Sequence, residues 1–352
     1  MTSPTEPDLL HHGDRDVRPG LVDLAVNVRR PGPPPWLAQV IARTIEGLGA
    51  YPDPAPARQA LAARHAVDPT CVLPTSGGAE AFTLVARGLA TRRALVVHPQ
   101  FTEPEAALRA AGHPVERHVL TADHGFRLDP AAVPSDADLV VVGNPTNPTG
   151  VLHPANTLAE LRHDGRVLVV DEAFMDAVPG EPHSLLQPGA DLAGVLVLRS
   201  LTKTWGLAGL RAGYVVGDPA LVARLSAVQP PWSVSTPALA AMVACSAPAA
   251  VAESDRESGL IAEHRGVLVE RLTETGLTVV PDSAAPFVLV DTSPLGPTSV
   301  RAALVDRGFA VRRGETFPGL GPTWIRVAVR TPDVSTALAA ALADLRRSPR
   351  VP

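Results

Sequence analysis

The chain has 352 residues, 45% of them hydrophobic and 19% charged, with a formal net charge of −5. That length points to two domains, the apolar share suits a packed core, and the acidic balance offers no footprint for nucleic acid. Cys71 and Cys245 are the only cysteines, too few for a disulfide framework or a multi-cysteine metal site, and no metal is expected. No apolar run of about 18 residues and no apolar signal core occur, so no membrane span is expected and a cytoplasmic location is.

In chain order, Thr75-Ser-Gly-Gly-Ala-Glu80 opens an expected helix over 80–88. Short, continuous, β-branched-rich runs follow at 94–98, 138–142, 167–170 and 195–198, with another strand expected at 213–216. Continuous rather than alternating apolar runs suit strands buried on both faces. Helical spacing at 103–111 and 156–163 separates some of them. Strands alternating with helices predict a parallel sheet with right-handed crossovers. Ligands of such sheets bind beyond the carboxyl ends of the strands. The polar segments 143–150, 171–176 and 200–211 lie just past such ends.

After residue 235 the pattern changes to helices at 238–244, 263–274, 299–307 and 334–346, with strands at 277–281, 287–291 and 324–329. The expected organisation is an N-terminal segment 1–35 packing on a small α+β domain 236–352, and a large domain 36–235.

One count stands out. Of 31 Lys+Arg residues only Lys203 is a lysine. Guanidinium replaces ammonium where charge alone matters, but it stays protonated and cannot attack a carbonyl. Lys203 lies in Ser200-Leu-Thr-Lys203-Thr-Trp-Gly-Leu-Ala-Gly-Leu-Arg211, just after a strand. A lysine there can bond an aldehyde cofactor, while Ser200 and Arg211 hold a phosphate dianion. Asp171, at the end of Val167-Leu-Val-Val-Asp171, can keep a pyridine nitrogen protonated. Asn147, in Asn144-Pro-Thr-Asn147-Pro-Thr-Gly150, offers an amide donor for a phenolate oxygen. Backbone N–H groups of Gly77, Gly78 and Ala79 at a helix start suit phosphate.

SLTKTWGLAGLRAGY, DEAF and NPTNPTG together resemble the fold-type-I pyridoxal-phosphate enzymes. The branch is the one holding histidinol-phosphate aminotransferases and L-threonine-O-3-phosphate decarboxylases, and the likeness runs from about His12 to Arg346. It implies an α/β fold with a large, mostly parallel sheet domain and a smaller α+β domain, and pyridoxal 5'-phosphate as cofactor. It implies that Lys203 bonds the cofactor, Asp171 pairs with its ring nitrogen and Asn147 meets its phenolate. Ser200, Arg211, Gly77, Gly78 and Ala79 hold its phosphate, and Phe101 stacks on its ring. Tyr51 matches a tyrosine that reaches the neighbouring subunit's cofactor phosphate, implying a homodimer with shared sites. Phe174 stands where many aminotransferases carry Tyr, removing one donor to the phenolate.

Both candidate reactions start alike, and the bond held perpendicular to the cofactor ring is the one that breaks. Substrate-holding groups therefore choose the outcome. His11-His12-Gly13-Asp14, DLAVNVRRPG with Asn27, and Trp324-Ile-Arg326-Val-Ala-Val-Arg330 resemble the decarboxylases. They imply decarboxylation of L-threonine-O-3-phosphate to 1-aminopropan-2-yl phosphate and CO₂, for cobalamin biosynthesis. His12, Gly13, Asn27 and Asn147 would then touch this small phosphorylated substrate, Arg326 would take its carboxylate and Arg312 its phosphate. The roles of Arg313 and Arg330 stay open. The alternative is a histidinol-phosphate or related aminotransferase using 2-oxoglutarate. A non-catalytic pyridoxal-phosphate-binding regulator is the remote alternative.

Overall fold

The computed structural model describes residues 6–29 and 31–347. Residues 1–5 and 348–352 of the expected terminal units, and Arg30, lie outside that set. In chain order the strands of the first half are β1 (Val22–Leu24), β2 (Val72–Thr75), β3 (Ala94–His98), β4 (Val115–Val119), β5 (Leu139–Gly143) and β6 (Val167–Asp171). They are followed by β7 (Val195–Ser200), β8 (Gly213–Gly217), β9 (Thr278–Val279), β10 (Phe287–Asp291), β11 (Phe309–Arg313) and β12 (Trp324–Ala328).

Among the described residues, seven strands form one sheet in the order β2-β8-β7-β6-β5-β3-β4. Strands β3 to β7 run parallel to one another, and Val/Leu runs let β3, β5, β6 and β7 bury both faces. The sheet is not wholly parallel, because β8 runs antiparallel to both β7 and β2. The link from β7 to β8 runs through two short helices, Thr202–Trp205 and Ala208–Leu210. It supplies no full crossover helix, so the chain turns back. β2 and β4 carry weak sequence signals: β2 contains Pro74, and β4 (Val-Glu-Arg-His-Val) is a half-exposed edge.

A second sheet has the order β1-β11-β12-β10-β9. β1, from the N-terminal segment, pairs parallel with β11. Its apolar face packs with Leu268 and Leu272 of the helix Pro248–Glu274 and with Leu338 and Leu342 of the helix Pro332–Arg347.

The helix expected over 263–274 starts fifteen residues earlier, at Pro248. Its first half buries Ala250, Ser254 and Ser258. A stripe of small residues at a spacing of four gives close packing without an apolar pattern. The helix expected over 80–88 starts at Gly77, whose φ of +79° a residue with a Cβ would resist. Glu80 caps that start by accepting the Ser76 N–H at 2.5 Å. The stretch 156–163 is helical only over Ala155–Ala159. No single helix among the described residues is long and apolar enough to cross a membrane.

Candidate active site

Strand register builds the site. Gly143 lies beside Asp171 and Asp171 beside Leu198, so three adjacent parallel strands end together. Past β5 comes the loop with Asn147, β6 ends in Asp171 itself, and past β7 come Ser200 and Lys203. The three polar segments expected at one sheet edge do converge there. They line a cavity of about 420 Å³.

Asp171 reaches that cavity with one oxygen engaged, accepting the Ala173 N–H at 3.0 Å. Burial pushes its carboxyl up to about 6, and the nearby Lys203 only partly opposes this. Lys203 lies in the short helix Thr202–Trp205, with Nζ 5.9 Å from the centre of the Phe174 ring. Burial first, then repulsion from Arg326 and Arg211, lowers its ammonium to about 8. A substantial neutral fraction therefore exists at mildly alkaline pH, as nucleophilic attack requires. Phe174 itself is buried edge-on against Phe287, centroids 4.9 Å apart.

Gly78, Ala79, Ser200 and Arg211 line one end of the same cavity. Gly77 opens the helix there, and a Cβ on it would overlap the Arg211 guanidinium. Arg211 is held in the left-handed region at φ 59°, its Nη1 donating to the Ala208 carbonyl at 3.0 Å. A guanidinium, a hydroxyl and free N–H groups of a twelve-residue helix thus meet at one point. Phe101 also lines the cavity, 5.6 Å from the His12 ring.

The second sheet contributes Arg326 from β12 and Arg312 from β11, both buried and both lining the cavity. Arg326 Nη1 donates to Oδ1 of Asn147 and Nη2 to the Ala25 carbonyl, while its Nε has no partner. Oδ1 being taken, the Nδ2 of Asn147 is left as the group free to donate. Burial, and then repulsion from Arg312, lowers Arg326 to about 9; burial lowers Arg312 to about 10. Two buried cations kept beside each other favour anionic occupants.

The N-terminal segment closes this end. His12 and Gly13 line the cavity, and His12 Nε2 pairs with Glu103 at 2.6 Å. A Cβ on Gly13 would lie 2.7 Å from the Ala25 carbonyl oxygen, so only glycine brings the segment this near β1. Asn27 is buried with Oδ1 unpartnered. A second cavity of about 320 Å³ meets the first at Asn27, Phe174 and Lys203 and is bordered by Arg330. Arg330 donates to the Val26 carbonyl at 2.7 Å, and Arg313 pairs with Asp16 at 3.1 Å.

Tyr51 does not line the cavity of its own chain. The residue is 76% exposed and its ring stacks on Trp232, centroids 4.3 Å apart.

Two groups of residues were not singled out from the sequence. Asp16 gathers three arginines beside the cavity, and no motif marks it. Behind the site, Arg199 is buried against Glu172 at 3.0 Å, Asp176 at 2.8 Å and Glu181 at 2.5 Å. Arg199 and Glu172 directly adjoin Ser200 and Asp171 in sequence. The only signal for them was a pair of charges inside apolar strand ends.

These groups fit a phosphorylated pyridine aldehyde. A deep carboxylate with a spare oxygen suits a ring N–H, the spare amide of Asn147 suits a phenolate, and the helix start with Arg211 suits a phosphate.

A family model described as Aminotransferase class I and II matches residues 19–342. A histidinol-phosphate aminotransferase of Mycobacterium tuberculosis is 49% identical over 323 residues, covering 91% of this chain and 86% of that one. The threonine-phosphate decarboxylase of Salmonella typhimurium is 32% identical over 339 residues, covering 92% and 91%. Among solved structures, the aspartate aminotransferase from Thermus thermophilus with maleate superposes at a TM-score of 0.81 with 26% identity, covering 93% and 91%.

Proposed function

This chain belongs to the class I and II aminotransferase family, and we propose that it moves an amino group between histidinol phosphate, or a related phosphorylated amine, and 2-oxoglutarate. Enzymes of this family depend on pyridoxal phosphate. The observation that carries the reading is the meeting of Arg312 and Arg326 with Lys203 and Asp171 in one cavity. Two fixed guanidiniums suit a phosphate in one half-reaction and two carboxylates in the other. The 49% identical relative supports the same choice and displaces decarboxylation as the first reading.

When bound, the cofactor supplies an electron sink for the substrate carbon that bears the amine. Lys203 would hold it covalently and, once displaced, carry the proton to and from that carbon through Nζ. Asp171 would keep the ring nitrogen protonated. Asn147 would donate Nδ2 to the phenolate. Ser200, Arg211 and the N–H groups of Gly77, Gly78 and Ala79 would hold the phosphate, with Phe101 against the ring. His12, Gly13 and Asn27 would close on the substrate and exclude water.

The active form in this reading is a homodimer. Ile45, Leu48, Tyr51 and Trp232 are all exposed, an apolar group suited to a second copy whose cofactor phosphate Tyr51 would reach. Residues 36–235 would form the cofactor domain and 236–352 the smaller one, with 1–35 packed on the latter.

A second reading, decarboxylation of L-threonine-O-3-phosphate, is favoured by one observation. That substrate carries a carboxylate and a phosphate together, one for each of Arg326 and Arg312. The 32% identical Salmonella relative has that activity in its name. One experiment separates the two. Pure holoenzyme is given histidinol phosphate with 2-oxoglutarate, or L-threonine-O-3-phosphate alone, scoring glutamate and CO₂. Glutamate without CO₂ supports the aminotransferase. CO₂ released without a keto acid supports the decarboxylase, and neither product sinks both.

A further inference from the structure

Asp16 ends a four-residue turn, Gly13–Asp16, in the N-terminal segment, and it is buried. Its Oδ1 accepts Nη2 of Arg301 at 2.6 Å, Nη2 of Arg313 at 3.1 Å and meets His11 Nε2 at 3.3 Å. Its Oδ2 faces Nη1 of Arg312 at 3.4 Å. Three guanidiniums this close would repel one another without a carboxylate among them.

The three arginines are not equivalent. Of them, only Arg312 lines the cavity with Lys203. Its contact with Asp16 is the longest of the three, so Asp16 engages it least. Two further contacts share the fixing of its guanidinium with Asp16: Nη2 donates to the His11 carbonyl at 2.7 Å, and the guanidinium lies 4.9 Å from the Phe317 ring centre. Arg301, outside the cavity, is anchored at its other end to the Val311 carbonyl at 3.3 Å. Arg301 and Arg313 therefore hold the carboxylate from behind, and the carboxylate holds Arg312 in place without using up its donors. Within this cluster one carboxylate faces three guanidiniums, an excess of positive charge beside the cavity. Glu315 meets Arg313 through Nη1 at 4.0 Å, the other terminal nitrogen from the one that holds Asp16.

We infer that Asp16 is a positioning residue that sets Arg312 for a phosphate dianion and so makes the site select phosphorylated over unphosphorylated substrate. The inference rests on the proposed function for its substrate, but the cluster itself does not depend on which reaction follows.

The test compares wild type, Asp16→Asn and Asp16→Glu as holoenzymes, in which the cofactor fills its own phosphate cradle. Two quantities are read: calorimetric binding of inorganic phosphate, and the ratio of kcat/KM for histidinol phosphate to that for histidinol. Asp16→Asn is expected to weaken phosphate binding about tenfold or more and to lower the ratio by a similar factor, through KM. Asp16→Glu, which keeps the charge, should recover part of both. Equal or tighter phosphate binding in Asp16→Asn would mean that the carboxylate merely opposes anions, and overturns the inference. So would an unchanged ratio with both substrates weakened together, the mark of a merely structural role. If Asp16→Asn does not fold, Arg301→Gln serves instead: the same fall in ratio supports the inference and an unchanged ratio refutes it. If no proposed substrate turns over, the function fails, and the phosphate titration still decides the role of Asp16.

Discussion

Arg326 on β12 donates to Oδ1 of Asn147, in the loop after β5, and so ties the two sheets together inside the cavity. The same bond orients the Asn147 amide and positions the guanidinium. Arg326→Gln should therefore harm more than one contact. Losing one member of a buried charged contact costs about 2–5 kcal/mol. A fall in kcat/KM of at least about 30-fold is expected, at about 1.4 kcal/mol per decade. A fall below about threefold in steady-state assays would remove Arg326 from the substrate site.

Lys203 is the only lysine, so its reactivity can be read without interference from other side-chain amines. With the cofactor removed, acylation of Lys203 followed by peptide mapping should be half-maximal near pH 8, not near the ordinary 10.5. Below that midpoint the ammonium holds its proton and is inert. Between the two values the unfolded chain binds more protons, so this group favours folding increasingly as pH rises through that window. Arg326→Gln should move the midpoint up, since Arg326 is the leading repulsive neighbour. A midpoint above 10 would contradict the buried setting.

Asp171 has the opposite sign. Its folded carboxyl is raised from 3.8 to about 6, so the folded chain binds more protons and cofactor-free protein loses stability as pH rises through that window. Asp171→Asn should abolish this loss in thermal melts of cofactor-free protein. In the holoenzyme the same change should lower turnover on the order of 10³-fold, because an amide cannot keep a ring nitrogen protonated. A loss of less than tenfold would show that Asp171 is not the ring partner.

Gly77→Ala places a Cβ against the Arg211 guanidinium and forces a left-handed residue with a side chain. The backbone alone costs about 1–2 kcal/mol. The cofactor-to-protein ratio after gel filtration should fall well below that of wild type, while Gly78→Ala, with open space at its Cβ, should retain more. Equal retention by both variants would place the phosphate elsewhere.

Arg199→Leu leaves Glu172 buried without its cationic partner and Asp176 with Arg64 alone, at 3.2 Å. Removing one partner of such a cluster costs about 3–5 kcal/mol. Urea unfolding should show that loss. A change under 1 kcal/mol would mean that the carboxylates take up protons at little cost.

Much of this site was legible because its chemistry is local. A lone lysine after a strand, an aspartate ending Val-Leu-Val-Val, and an Asn-Pro turn each combine an apolar run with a polar stop. Both are written in consecutive residues. The continuous Val/Leu runs at β3, β5, β6 and β7 likewise announced strands buried on two faces. The family, its cofactor and the convergence of three loops on one sheet edge follow from these short-range features. The tertiary structure alone decided the rest. It reversed β8, because strand direction depends on the length and path of a connection and not on the strand's own residues. It joined Asp16 to Arg312 across 296 positions and Arg326 to Asn147 across 179. Charges so far apart in sequence carry no shared periodicity. Only two sheets meeting at one cavity bring them within hydrogen-bond reach, where burial sets ordinary arginines and one acid against each other.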